Sequence, residues 1–382
     1  MFGKNTKKDF LISEDHINIS VGTSFIVHKE VYKKTNEIRE DIFINSAQYK
    51  KNLSKLIRQS ASVLGEYIKT DANNVAFTSS GTESMNTILR SLVLLAGDEI
   101  VVDANIYPTT MRILEFVCAR AGARINKVYI PSNASISEIV DKYETAIHVR
   151  TRLLVIEDTK VIDGLRNPLD KILPLFKEKE ILTLVDGAGS FGMYDINFDA
   201  MGVDWYIGSC HKWLLSYLGT GFIVSKPEHH KLLRSMRISQ RHNDGYPHSF
   251  DWVGSNDYAP WLTLDTAINS INQFGEENIR QYCNDLVIQG ANVVAEKFGV
   301  KYNVPENIST FMTSVELPSE LQDKKISVDA IKNHLLENNV SAHINLIDNV
   351  KYVRLSAYIY NELSDYEKFA EEVLKLTKGN LL

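Results

Sequence analysis

Asp186 closes an apolar run, Ile181-Leu182-Thr183-Leu184-Val185, and Lys212 stands between Tyr206-Ile207 and Trp213-Leu214-Leu215. An acid and a lysine in such company need partners, because an unpaired charge is costly to bury. The run ahead of the acid reads as a buried parallel strand, and the interval to the lysine has room for a turn and a second strand. Pyridoxal phosphate (PLP) chemistry asks for this pair of groups. It needs a lysine amine to form a Schiff base, and a carboxylate to keep the pyridine nitrogen protonated so that the ring withdraws electrons. Such a lysine must be deprotonated part of the time, which burial near other cations favours. In isolation His211-Lys212-Trp213 also reads as a surface turn with a snorkelling lysine, and Asp186-Gly187 as a common turn pair.

Other residues weigh on that choice. Ser79-Ser80-Gly81-Thr82 lies between a strand and a helix, where backbone N–H groups, glycine and hydroxyls make a natural phosphate cradle. The same residues form a plain helix cap with Glu83 in the first turn, and the two readings are compatible. No Walker-type lysine follows, which disfavours nucleoside triphosphates. The Ser209 hydroxyl and the His211 ring offer further bonds to a cofactor oxygen. Tyr107, after the strand ending at Asp103, is placed to stack on a flat ring or simply to pack. Arg354, within the strand Tyr352-Val353-Arg354-Leu355-Ser356, fits a substrate carboxylate or an internal ion pair equally well.

Strands and helices alternate around these residues. Strands are expected at Val75–Thr78, Glu99–Val102, Lys127–Ile130, Arg152–Ile156, up to Asp186, at Trp205–Ser209 and at Gly221–Val224. Helices are expected at Glu83–Leu95, Thr110–Ala121, Glu138–His148 and Leu169–Lys179. That alternation predicts an α/β protein with a mainly parallel seven-stranded sheet covered on both faces. After Pro260 the pattern changes to a long helical stretch, Leu262–Lys297 with a break at Phe274-Gly275. It continues with strands at Thr310–Val315, Ser341–Leu346 and Tyr352–Ser356 and helices at Val328–Leu336 and Asp365–Leu376. The expected organisation is an N-terminal arm (1–22), a large cofactor-binding domain (23–260) and a smaller C-terminal α+β domain (261–382).

With 382 residues, 44% hydrophobic and 24% charged, the chain has the composition of a soluble globular protein. A net charge of −6 with scattered basic residues argues against a nucleic-acid partner. No apolar stretch reaches membrane length, and the first residues lack a secretory signal pattern. Three widely spaced cysteines, Cys118, Cys210 and Cys283, give no metal-ligand spacing and point to a reducing, cytoplasmic setting.

Taken in order, these motifs resemble the class V aminotransferase family of fold-type I PLP enzymes. The likeness is to its isopenicillin N epimerase-like branch, and more distantly to cysteine desulfurases. It rests on Phe77-Thr78-Ser79-Ser80-Gly81-Thr82-Glu83, Gly97-Asp98-Glu99-Ile100, Val185-Asp186-Gly187-Ala188 and Ser209-Cys210-His211-Lys212-Trp213. Gly219-Thr220-Gly221-Phe222, Trp252-Val253-Gly254-Ser255-Asn256-Asp257 and Val353-Arg354-Leu355-Ser356 complete it. The resemblance implies Lys212 as the Schiff-base residue and Asp186 as the pyridinium partner. Gly81, Thr82, Ser209 and His211 would hold the phosphate, Tyr107 would stack on the ring, and Arg354 would bind the α-carboxylate of an amino-acid substrate. Gly254 and Ser255 match a segment that usually reaches the neighbouring subunit's phosphate, which implies a homodimer with shared sites. Two departures stand out. Gly189 replaces the family's usual Gln or His, and the stretch Glu157–Gly164 brings Asp158 and Lys160 near the expected cofactor edge.

Transamination is the first expectation for the reaction, ahead of a C–S β-lyase or amino-acid epimerase, with a non-catalytic scaffold third. The motif does not separate these reactions. Desulfurase action is disfavoured because it needs a mobile nucleophilic cysteine in the C-terminal part, where only Cys283, in a helical stretch, is present. The polar and aromatic stretch with His242, Tyr246, His248 and Phe250 is a candidate side-chain pocket.

Overall fold

The computed structural model describes residues 2–23, 25–131, 134–307 and 311–378. The chain forms two compact units. One comprises Val27–Asp158 and Asn167–Ile271, the other Met1–Ile26, Thr159–Arg166 and Asn272–Leu382.

The larger unit opens with two helices, α1 (Lys29–Ile44) and α2 (Ser46–Ile68), which alternation of strands and helices does not foretell. Seven strands follow: β1 (Val75–Thr78), β2 (Glu99–Asp103), β3 (Arg124–Val128), β4 (Thr151–Glu157), β5 (Leu182–Asp186), β6 (Trp205–Ser209) and β7 (Gly221–Ser225). Their order across the sheet is β1-β7-β6-β5-β4-β2-β3. All neighbours are parallel except β7, which runs antiparallel to both β1 and β6. The expected seven-stranded, mainly parallel sheet is therefore present, with one reversed strand. β1, β6 and β7 are buried along their whole length, as sheets covered on both faces require.

Local chemistry sets the helix starts. Ser80 caps α3 (Gly81–Ser91) by accepting from the Glu83 amide. α4 (Pro108–Ala121) begins with proline in the first turn and ends on Gly122 in the left-handed region, φ 68°. A Ser135/Glu138 capping box opens α5 (Ile136–Thr145), two residues earlier than apolar spacing alone places it. α6 (Leu169–Lys177) precedes β5. β3 starts at Arg124, not Lys127, because its pairing with β2 begins at Glu99 and an Arg124 amide bond to the Asp98 carbonyl leads into it. Ile88, Leu114, Val102, Val155, Trp205 and Ile223 are buried together against one sheet face, each contributing about 1.5–3 kcal/mol by leaving water. α7 (Leu264–Asn272) closes the unit.

The smaller unit carries α8 (Glu276–Phe298), β8 (Met312–Glu316), α9 (Val328–Glu337), β9 (His343–Ile347), β10 (Val350–Ser356) and α10 (Leu363–Thr377). Its antiparallel sheet has the order β9-β10-β8. Thr310, the expected start of the first of these strands, lies outside the described residues. Ile17–Asn18 pairs with Val340–Ser341, which ties the N-terminal segment into this unit. The excursion 159–166 is held there too, by Arg166 N–H to the Asn307 carbonyl and Ser314 Oγ to the Asp163 carbonyl. Among the described residues no helix is long and apolar enough to cross a membrane.

Candidate active site

The C-terminal ends of β1, β5 and β6 and the start of β7 lie along one edge of the sheet, the edge at which open α/β sheets place ligands. Asp186 is the last residue of β5 and is buried. Its Oδ1 accepts from the Ala188 amide at 2.9 Å. Burial raises its pKa, against smaller lowering effects of the Ala188 N–H and the Lys212 charge. Gly187 follows because only glycine fits: a Cβ there would lie 1.9 Å from the Tyr206 hydroxyl.

Lys212 sits in the tight connection between β6 and β7. Cys210 N–H donates to the Thr220 carbonyl and Ser216 N–H to the Cys210 carbonyl, so the loop folds back on itself. Leu215 is in the left-handed region, φ 50°, a strain of about 1–3 kcal/mol for a residue with a Cβ. The neighbouring indole reaches across to the acid's own loop, Trp213 Nε1 donating to the Gly189 carbonyl at 2.7 Å. Asp158 holds the far side of that loop: its N–H donates to the Asp186 carbonyl and its Oδ2 accepts from Ser190 Oγ at 3.0 Å. Asp158 is thus a buried brace beneath the loop. Lys160 belongs to the smaller unit, buried in an ion pair with Asp163 at 2.5 Å.

The residues expected to cradle a phosphate come from both ends of the sequence interval. Gly81 N–H, at the start of α3, donates to Ser209 Oγ at 3.2 Å. A Cβ on Gly81 would come within 2.7 Å of the Ala188 Cβ and 3.2 Å of Ser209 Oγ, so glycine lets the helix start approach the Asp186 loop. Thr82 is exposed in the first turn. His211 is buried and bonds the Thr220 carbonyl through Nδ1 at 3.1 Å. Burial, with the adjacent Lys212 charge, lowers its pKa to about 4. The ring is therefore neutral near pH 7 and its Nδ1–H is the donor.

That depressed value has a consequence for stability. The unfolded histidine takes a proton below 6.5, whereas the folded one resists until about 4. Between those values the unfolded chain binds more protons, so stability falls as pH falls, by about 3 kcal/mol over the window. Urea unfolding across this window should show a shallower pH slope for His211→Gln than for the wild type. Parallel slopes would remove His211 as the cause.

Tyr107, half-exposed, stands immediately before α4 with Pro108 following. Gly254, at φ 95°, and Ser255 lie in a surface loop of the same unit. Arg354 belongs to the smaller unit, fully buried on β10, with Nη1 donating to the Val161 carbonyl. Two members of the candidate pocket stretch are core residues instead. Tyr246 is buried with its hydroxyl on the Asn74 and Ile223 carbonyls, and Phe250 packs in the same apolar cluster. His248 faces Asp251 at 3.5 Å.

A buried acid, a lysine loop and a helix-start cradle on one edge of a mostly parallel sheet define the fold-type I class of PLP-dependent proteins. Residues 26–369 match the family model for class V aminotransferases, and the chain belongs to that family. It is 21% identical over 392 residues to hercynylcysteine sulfoxide lyase of Schizosaccharomyces pombe, covering 98% of this chain and 97% of that one. Isopenicillin N epimerase of Amycolatopsis lactamdurans is 25% identical over 338 residues, covering 82% and 83%. Among solved structures, apo cysteine desulfurase from Thermococcus onnurineus NA1 superposes with a TM-score of 0.80 at 16% identity, covering 99% of both chains. A variant of C-DES with glycine covalently linked to its PLP cofactor gives 0.79 at 17% identity, covering 94% and 96%. C-DES is itself described as a cystine C–S lyase. These relatives favour the lyase and epimerase readings over the transamination expected first.

Proposed function

We propose that this chain is a PLP-dependent C–S β-lyase acting on an amino acid with sulfur on its β-carbon. The cofactor reading is carried by Asp186, a buried carboxyl whose pKa burial raises beside the Lys212 loop. Asp186 would face the pyridinium nitrogen, Lys212 would carry the cofactor, and Gly81, Thr82, Ser209 and His211 would hold its phosphate. Tyr107 would cover the ring and Arg354 would take the substrate carboxylate. When bound, PLP supplies an electron sink for the pair left on Cα after its proton is lost.

The chain's own groups do the rest. The Lys212 amine, once released by the incoming amino acid, takes the α-proton and returns protons where they are needed. Asp186 keeps the sink charged. Departure of sulfur from Cβ would then require only that the pair left on Cα form a Cα=Cβ double bond as the Cβ–S bond breaks and its own electron pair leaves with sulfur. The kinship to C–S lyases supports that outcome, and the cysteines agree with it. Cys118, Cys210 and Cys283 are free and buried, and burial raises the pKa of each. No accessible thiolate is offered to capture sulfur as a desulfurase would, so sulfur would leave with its substituent. Epimerisation is the second reading, on the likeness to isopenicillin N epimerase.

A homodimer is part of the proposal, supported by the exposed 254–255 loop matching a segment that serves a neighbouring subunit. The unpaired cysteines support a reducing, cytoplasmic compartment. Purified protein supplied with PLP should release pyruvate, ammonia and a thiol in equal amounts from S-substituted cysteines. Accumulation of pyridoxamine phosphate with a keto acid would return transamination to first place, and loss of chirality without pyruvate would establish the epimerase.

A further inference from the structure

Glu83 is an acid in the first turn of the helix that would hold the cofactor's phosphate. At that position a carboxylate opposes a bound dianion, yet it is well held. Its Oε2 accepts from the Ser79 amide at 2.8 Å and the Ser79 hydroxyl at 2.5 Å. The Arg237 guanidinium closes on it with a fork: Nε and Nη2 reach Oε1 at 3.2 Å each, and Nη2 reaches Oε2 at 3.1 Å. Burial raises the Glu83 pKa, but the bonds from Ser79 and Arg237 outweigh it and hold the carboxyl below its usual range. Glu83 is thus a charge the protein keeps, directly beside an anion site.

The third nitrogen of Arg237 points elsewhere. Nη1 donates to Asn256 Oδ1 at 3.1 Å. Asn256 follows Gly254 and Ser255 in a loop closed by one phenol, the Tyr258 hydroxyl accepting from Val253 N–H at 3.0 Å and donating to the Gly254 carbonyl at 2.7 Å. Arg39 fixes the next residue through Asp257 Oδ2 at 2.7 and 2.9 Å. One guanidinium therefore neutralises the acid of the α3 start and pins the loop that carries Gly254 and Ser255.

We propose that Arg237 is a positioning residue for phosphate anchoring: by neutralising Glu83 and fixing Asn256, it makes the α3 cradle selective for the phosphorylated form of the cofactor. This rests on the PLP reading above. A planar fork satisfies both carboxylate oxygens and the loop amide at once, which a lysine's point charge does not. Loss of Arg237 leaves Glu83 ionised against the phosphate.

Dissociation constants for PLP and for pyridoxal, which lacks the phosphate, test this in Arg237→Gln, Arg237→Lys, Glu83→Gln and the Glu83→Gln/Arg237→Gln double variant. Arg237→Gln should weaken PLP about tenfold and leave pyridoxal unchanged. Arg237→Lys should recover part of the loss, and the double variant most of it, because the opposing charge is gone. Equal loss for PLP and pyridoxal, unchanged PLP binding in Arg237→Gln, or a double variant no better than the single one would each overturn the proposal. The cofactor reading survives all three of those results as long as the wild type binds PLP on Lys212. A wild type that takes up no PLP overturns both.

Discussion

Lys212→Ala loses turnover by about four orders of magnitude, the range that positioned proton transfer and a covalent amine together supply. The loop around it makes this a clean test. Cys210, Ser216 and Thr220 close the β6–β7 connection through backbone bonds, so the variant should keep its fold. Lys212→Arg should be equally inactive, since it keeps the charge but cannot serve as the amine. Borohydride reduction of PLP-loaded protein followed by peptide mass analysis checks the assignment directly. An adduct on Lys212 in the wild type and none in the variants is the expected result. A variant with wild-type rate, or an adduct on another lysine, removes Lys212 from the chemistry.

Asp186→Asn separates function from stability. The substitution keeps shape and the contact to the Ala188 amide but cannot hold a proton on a pyridine nitrogen, so the rate should fall roughly a hundredfold to a thousandfold. The cofactor-free protein should respond in the opposite direction. Burial raises the Asp186 pKa, so charge on this carboxyl is disfavoured in the folded state and its removal stabilises. Melting of the apo protein should rise by a few degrees as its activity disappears, the trade that buried functional groups impose. An apo form that melts lower would show that Asp186 has found its partner inside the protein, and would count against a cofactor cation there.

The residues proposed to touch reacting atoms are easier to read in the sequence than those that brace them. Asp186, Lys212 and the Ser79–Thr82 start stand at apolar strand ends, and charge against an apolar background is visible in one dimension. The braces are not. Asp158 to Ser190, Trp213 to Gly189 and Arg237 to Glu83 and Asn256 join residues far apart in sequence, of types common on any surface. The sequence put Asp158 near the expected cofactor edge and left its role open, and only the structure shows its bonds to the Asp186 carbonyl and Ser190. Strand positions followed apolar runs well, Val75–Thr78 and Trp205–Ser209 to the residue, because fully buried strands are continuous. The α3 helix ended at Ser91 while the apolar letters ran on to Leu95. Val93 and Leu95 are exposed, so hydrophobicity there does not report helix. Tyr246 and Phe250 show the reverse error, aromatics of an apparent binding loop that fill the core.

The reversed strand β7 governs when the site can exist at all. It is the last strand of the sheet to be made, yet it lies between β6 and β1, the first. The Gly81 to Ser209 bond spans 128 residues, and it can form only once β7 has been laid down beside β6 and β1 has docked against it. Closing so long a loop is slow compared with forming the local strand–helix units. The cradle is therefore among the final features to appear during folding. On the proposed reading, a cofactor would meet this part of its site only when the sheet is complete, which predicts that it stabilises the finished fold and does not speed its formation.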